Sequence, residues 1–112
     1  MGDKEVLKSI ELNCVDIVKY VPHAVMFQSI IKKLTGNITA MSFDAGEGLP
    51  KKTSPFEIFL QIIDGKAEIV IDAAPKVLNT GQSIVIPAHA SHAVNAIERF
   101  KMISTTIKSG YE

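Results

Sequence analysis

Three histidines and one cysteine are the side chains of this 112-residue chain that could bind a metal ion or act as a nucleophile. His89 and His92 form an H-x-x-H pattern, which on a helix would place both rings on one face. Pro87 and the strand-like runs on either side of it oppose a helix here. A metal held by His23, His89 and His92 has no support from their spacing, so we predict no site of that kind.

Cys14 lies in an N-terminal segment without a histidine beside it in sequence. The chain contains neither a nucleophile-elbow motif nor a phosphate-binding glycine loop, since the glycines at 46–48 lack a third glycine and a following helix. We therefore expect Cys14 to pack as a small apolar residue. A single cysteine forms no intrachain disulfide, and the N-terminus has no signal-peptide core, so a reduced cytoplasmic location is expected.

Charge and length exclude several classes of partner. Twelve Lys and Arg residues balance twelve Asp and Glu residues, so no net field attracts nucleic acid or anionic lipid. No apolar run approaches the length needed to span a membrane. We predict one domain, residues 1–112, with a barrel core at about 20–108 and an N-terminal strand or turn segment at 1–19.

Apolar and β-branched runs recur every eight to twelve residues between turn residues, which is typical of an all-β sandwich or barrel. The predicted strands are 24–34, 37–44, 56–63, 66–72, 75–79, 83–87, 92–96 and 100–108. Asp64-Gly65 is predicted as a two-residue hairpin turn, because both residues accept the positive φ that such turns need. Residues 45–55 are predicted as a loop, and 3–20 as a short strand plus a turn or an irregular helix.

The segment GQSIVIPAHASHAVN, residues 81–95, has Gly81, Pro87 and His92 at the spacing of the second conserved motif of the cupin family. Gly46 and Gly65 match the first and last glycines of the first motif in the same register. Over about residues 20–108 the chain therefore resembles the small single-domain cupins of bacteria. The resemblance implies an antiparallel jelly-roll β-barrel.

The resemblance also implies where the metal ligands of the family would lie. The register places Lys52 and Ser54 at two histidine positions and Ile58 at the glutamate position, so only His92 matches a ligand. An ammonium repels a cation, a serine hydroxyl is a weak neutral ligand, and isoleucine offers no donor atom. We predict a degenerate site with no metal and no other cofactor. His89 replaces a motif glycine, which indicates a different bend at residues 88–91.

A ligand pocket inside the barrel is predicted at the surviving positions. Its residues are Lys52, Ser54, Ile58, Leu60, His92 and Val94, and Ile62 would point inward with them. In one hypothesis the Lys52 ammonium supplies positive charge and His92 a directional hydrogen bond, so that a small carboxylate or phosphate binds between them. In the alternative, His92 is a buried, hydrogen-bonded imidazole and the Lys52 charge reaches water along the barrel mouth.

Alternation directs Phe59 and Ile63 outward without obvious cover, from which we predict a homodimer. Three functions stay open. The residues favour a metal-free module that binds or senses a small molecule. The second is an isomerase, decarboxylase or oxygenase that uses non-standard metal ligands or acid–base chemistry of His92 and Lys52. The third is a structural or partner-binding barrel. No catalytic residue is assigned.

Overall fold

A computed structural model describes residues 4–111 of the chain, so the first three residues of the predicted N-terminal segment lie outside the described residues. The strands of this part are β1 (Val25–Lys33), β2 (Gly36–Phe43), β3 (Gly48–Thr53), β4 (Glu57–Ile71), β5 (Ala74–Asn79), β6 (Ser83–Ile86) and β7 (Ser91–Ile107). Every pairing between them is antiparallel. Within residues 4–111, the only helix is a 3-10 turn at Cys14–Asp16.

The long strands β4 and β7 pair with each other and build both sides of the fold. The first half of β4 pairs with β6 and its second half with β5, while β7 pairs with β3 near its start and with β2 near its end. The bent pair therefore crosses from one sheet, β1-β2-β7-β4-β6, to the other, β3-β7-β4-β5. The inner faces of these two antiparallel sheets are turned toward each other. This arrangement confirms the predicted all-β jelly-roll barrel.

The predicted hairpin turn at Asp64-Gly65 is wrong. Both residues lie inside β4 and pair with Lys101 and Phe100 of β7, with register shifts on either side. Gly65 has φ 89°, and a Cβ there would lie 2.1 Å from the carbonyl oxygen of Arg99. The glycine thus marks a bulge with close backbone approach, at which the strand pair bends into the second sheet.

The two-residue turn lies instead at Asp72 and Ala73, which connect β4 to β5. Both residues have positive φ values, 47° and 67°. The predicted loop at 45–55 contains strand β3, and the two strands predicted at 92–96 and 100–108 form the single strand β7. Both errors have one cause, since register shifts interrupt the alternation of side chains in β3 and in the β4–β7 pair.

The segment at 14–20 crosses the outer face of the first sheet. The Lys101 ammonium donates to the Val15 carbonyl and lies over the Tyr20 ring, and Ser42 Oγ donates to the Lys19 carbonyl at 2.7 Å. The Tyr20 hydroxyl donates to Asp64 at 2.6 Å, and burial, followed by this carboxylate, raises the pKa of Tyr20. These contacts fix the segment on the barrel.

Neither structure predicted for residues 3–20 describes this segment fully, because outside the 3-10 turn it is irregular. Cys14 is exposed rather than packed as expected. No helix within residues 4–111 is long and apolar enough to cross a membrane.

Candidate functional site

A small cavity of about 40 Å³ lies between the two sheets. Both sheets contribute to its lining, which consists of Met41, Leu49, Lys52, Ile58, Leu60, Ile86, His92, Val94, Met102 and Ser104. The alternation of β4 directs Ile58 and Leu60 inward, where each is less than a tenth exposed, while Phe59 between them points out. Most of the wall is therefore aliphatic or thioether, with three polar side chains.

Lys52 and His92 stand directly opposite each other on β3 and β7. Opposed residues in an antiparallel pair have Cβ atoms about 5 Å apart on the same face of the sheet. His92 is buried, at 4% exposed, whereas Lys52 is exposed and so lies at the mouth of the cavity. Within residues 4–111 the Lys52 ammonium has no hydrogen bond or ion pair, and no carboxylate lines the cavity.

The His92 ring is oriented by its own strand. Its Nδ1 lies 3.3 Å from the carbonyl oxygen of Ala90, an atom that only accepts, so Nδ1 carries the hydrogen of this bond. The remaining nitrogen, Nε2, has no protein partner among the described residues. Since no fully buried polar side-chain atom there lacks a partner, Nε2 faces the accessible cavity. In the neutral ring it is an acceptor.

The structure brings together five of the six predicted pocket residues, namely Lys52, Ile58, Leu60, His92 and Val94. Ser54 does not line the cavity. Its Oγ accepts a hydrogen bond from the Phe56 amide at 3.1 Å and its carbonyl accepts one from the His89 amide at 2.7 Å. A local turn bond therefore uses the Ser54 hydroxyl, and a long-range backbone bond uses its carbonyl.

Ile62 points inward as predicted but lies outside the cavity, in the packed part of the core at 1% exposed. His23 and His89 are exposed and do not join His92. His89 adopts φ 70°, a left-handed conformation that glycine adopts without strain.

Ser104 is a polar lining residue that sequence reasoning missed. It is 7% exposed, pairs with Leu60 on β4 and has no hydrogen-bond partner among the described residues. Counting in steps of two from Phe100 along one continuous strand would have placed it inside. Met41 and Met102 also line the cavity.

The donor atoms do not fit the metal that the fold family implies. Of the four ligand positions, the cavity receives one imidazole, one ammonium and one isoleucine, and Ser54 lies outside it. Sites for divalent metals need several nitrogen or carboxylate ligands that converge on one point. Within residues 4–111 no three His, Cys, Asp or Glu side chains cluster in this way.

Residues 39–106 match the family model described as a cupin domain. A conserved protein of unknown function from Streptococcus pyogenes is 27% identical, with TM-score 0.90 over 96% of this chain and 94% of that chain. A cupin superfamily protein from Desulfitobacterium hafniense is 23% identical, with TM-score 0.88 over 95% and 97%. A cupin 2 conserved barrel domain protein from Leptotrichia buccalis is 30% identical, with TM-score 0.79 over 82% and 45%. No curated protein matches the chain.

Proposed function

Because this chain belongs to the cupin family, we propose that its barrel interior is a metal-independent binding site for a small carboxylate, held between Lys52 and His92. One observation carries the proposal: an unpaired ammonium and a buried imidazole lie opposite each other at a cavity that no carboxylate lines. A charge-assisted hydrogen bond from a lysine to a carboxylate is stronger than one between neutral groups.

The bound carboxylate must be small at its charged end. A cavity of about 40 Å³ is close to the space of one or two water molecules, whereas sites for whole small molecules start near 300 Å³. A planar carboxylate group is also flatter than a tetrahedral phosphate. We therefore favour formate, acetate or the carboxylate end of a larger molecule over phosphate.

A hydrogen bond from His92 to the bound carboxylate depends on which hydrogens the ring carries. Since Nδ1 donates to Ala90, Nε2 donates to a carboxylate only when the ring carries both hydrogens. Ser104 supplies a second, neutral donor whose hydroxyl hydrogen is always present.

The test is an NMR titration of the protein with acetate and formate. We expect dissociation constants on the order of 1 mM, given four or fewer ligand atoms. Lys52→Met should weaken binding about tenfold, because it keeps the apolar stem and removes the charge. Lys51→Met is the matched control, since Lys51 is exposed and lies outside the lining. Equal affinity in all three proteins would refute the proposal.

The oriented, buried His92 ring also favours a second candidate, an enzyme in which Nε2 acts as a general base and Lys52 stabilises the developing negative charge. The enzyme could instead hold a metal through non-standard ligands. Metal analysis of protein purified without chelator tests this alternative. Stoichiometric metal that disappears in His92→Ala would favour the enzyme over the binding module. Exclusion of every small anion from the barrel would favour the structural role.

We also propose that the chain forms a homodimer through the outer face of the first sheet. A row of directly opposed residues crosses five strands there, formed by Val85, Phe59, Thr105, Ile38 and Ile31. Strand spacing makes this row about 19 Å long, and a two-fold axis would let it pack on its own copy. Ile63, predicted to take part with Phe59, is only partly exposed.

Light scattering of Phe59→Lys tests the dimer. The variant should be monomeric at concentrations where the wild-type protein is dimeric, because a charge in the row would be buried without a partner. Val77→Lys is the control, since Val77 is 52% exposed on β5 and outside the row. A monomeric wild-type protein, or a Phe59→Lys dimer, would contradict this interface.

A further inference from the structure

A second, larger concavity adjoins the cavity on the inner face of β1 and β2. It measures about 260 Å³ and is lined by Phe27, Ser29, Lys32, Asn37, Thr39 and Met41. We refer to this surface as the β1–β2 groove. Its lining combines one aromatic ring and one thioether with hydroxyl and amide groups and the Lys32 side chain, which is the composition of a site for a molecule with an apolar body and polar substituents.

The groove and the cavity share a wall. Met41 lines both, and it stands directly opposite Phe27 on β1 and Met102 on β7. Thr39 of the groove stands directly opposite Ser104 of the cavity. Since opposed residues lie on the same face, a molecule bound in the cavity meets the groove as soon as it extends past Met41.

Phe27 is the residue that the fold leaves unexplained. The inward-facing Phe43 lies on β2, two residues after the Met41 that pairs with Phe27. Phe43 is 0% exposed and stacks on Phe100. Phe27 also faces inward, yet it is 45% exposed, because β1 is the edge of its sheet. An aromatic ring on an inner face, next to a binding cavity, presents a flat apolar surface to a ligand.

We propose that the ligand is an aryl or arylalkyl carboxylate, whose carboxylate lies between Lys52 and His92 and whose ring lies in the β1–β2 groove against Phe27. This inference rests on the proposed carboxylate site and names the class of molecule that fills it. Together the two concavities reach the lower end of small-molecule sites, about 300 Å³. The combined volume has room for an apolar part of the ligand in addition to its carboxylate group.

The far end of the groove carries charges of both signs. The Lys32 side chain lines it, and the amide of Lys32 donates to the Glu5 carboxylate at 2.7 Å, which also pairs with Lys8. Ser29, Asn37 and Thr39 add neutral hydrogen-bonding groups, which suit hydroxyl substituents on the ring.

A titration series with acetate, phenylacetate and 4-hydroxyphenylacetate tests the inference. Phenylacetate should bind the wild-type protein about tenfold more tightly than acetate, because ring contacts with Phe27 and Met41 add to the carboxylate contacts. Phe27→Ala should remove this gain and leave the acetate affinity unchanged. Phe27→Leu, which keeps apolar volume and removes the ring, should retain only part of it.

Val77→Ala is the control, since Val77 is 52% exposed on β5 and lies outside the groove, the cavity and the proposed dimer row. Thermal unfolding of each variant shows that the fold is kept. Acetate binding without a gain from the ring, or a gain that survives Phe27→Ala, would overturn the groove inference alone. Failure of every probe, acetate included, would overturn the carboxylate site on which it rests.

Discussion

The two halves of the barrel interior are built from the same bent strand pair but are filled differently. The packed half contains Phe43 stacked on Phe100 with ring centroids 4.4 Å apart, together with Ile69, and all three are 0% exposed. The cavity half contains Lys52 and His92, along with the other lining residues named above. The difference indicates that the packed half supplies stability and leaves the cavity half free to hold polar groups.

The strongest test of this division replaces two inward-facing neighbours on β7. Phe100→Ala should lower the free energy of unfolding by about 3–5 kcal/mol, because it leaves a void among close-packed side chains. Met102→Ala should cost about 2 kcal/mol, because its void joins an existing cavity that water can enter. Both residues are at most 1% exposed, so burial is matched. Equal losses in urea unfolding would contradict the division.

The bend that joins the two halves gives the next largest effect. Gly65→Ala should destabilise by about 2–4 kcal/mol, since its Cβ would meet the Arg99 carbonyl at 2.1 Å and φ is 89°. Gly81→Ala shares the positive φ, 90°, but its Cβ would meet nothing within 4 Å, so about 1 kcal/mol is expected. Thermal unfolding measures both. A Gly65 loss no larger than that of Gly81 would show that the bend has room.

Sequence periodicity placed residues of the cavity half correctly only where a strand runs without a bulge. Alternation along 56–63 placed Ile58 and Leu60 correctly inside, because an uninterrupted strand keeps its period. It missed β3 and the continuity of β7, because bulges near Lys52 and Gly65 break that period. Motif spacing supplied Lys52 and His92, while Ser104 required knowing that β7 is one strand. Ser54 failed because its hydroxyl bonds the nearby Phe56 amide and its carbonyl bonds the distant His89 amide, and motif spacing reports neither bond.

A smaller effect, of opposite sign, is expected inside the cavity half. Ser104→Val should raise the free energy of unfolding by about 0.5–1 kcal/mol, because it fills space with one more methyl group and removes a hydroxyl without a protein partner. Acetate affinity should fall at the same time. Ser104→Ala removes the hydroxyl without filling the space, so it should lose affinity without the gain in stability. A destabilised Ser104→Val would mean that this half is already fully packed.

The smallest effect concerns pH and a residue at the packed end of β2. Asp44 accepts hydrogen bonds from the amides of His23 at 2.7 Å and Ala45 at 3.0 Å, and these bonds lower its pKa below the ordinary 3.8. A lowered folded-state pKa means that the carboxylate stabilises the fold above about pH 4, and that this contribution is lost as pH falls through the lowered value.

Urea unfolding of Asp44→Asn at pH 6 and at about pH 3 measures this contribution. The variant should lose less stability on acidification than the wild-type protein, because it has no carboxylate to protonate. Glu5→Gln must be compared in parallel, since backbone bonding to Lys32 lowers the pKa of Glu5 in the same direction. Both carboxylates are only partly buried, so salt should reduce both effects. An Asp44→Asn profile parallel to the wild type would assign the acid sensitivity to other carboxylates of the chain.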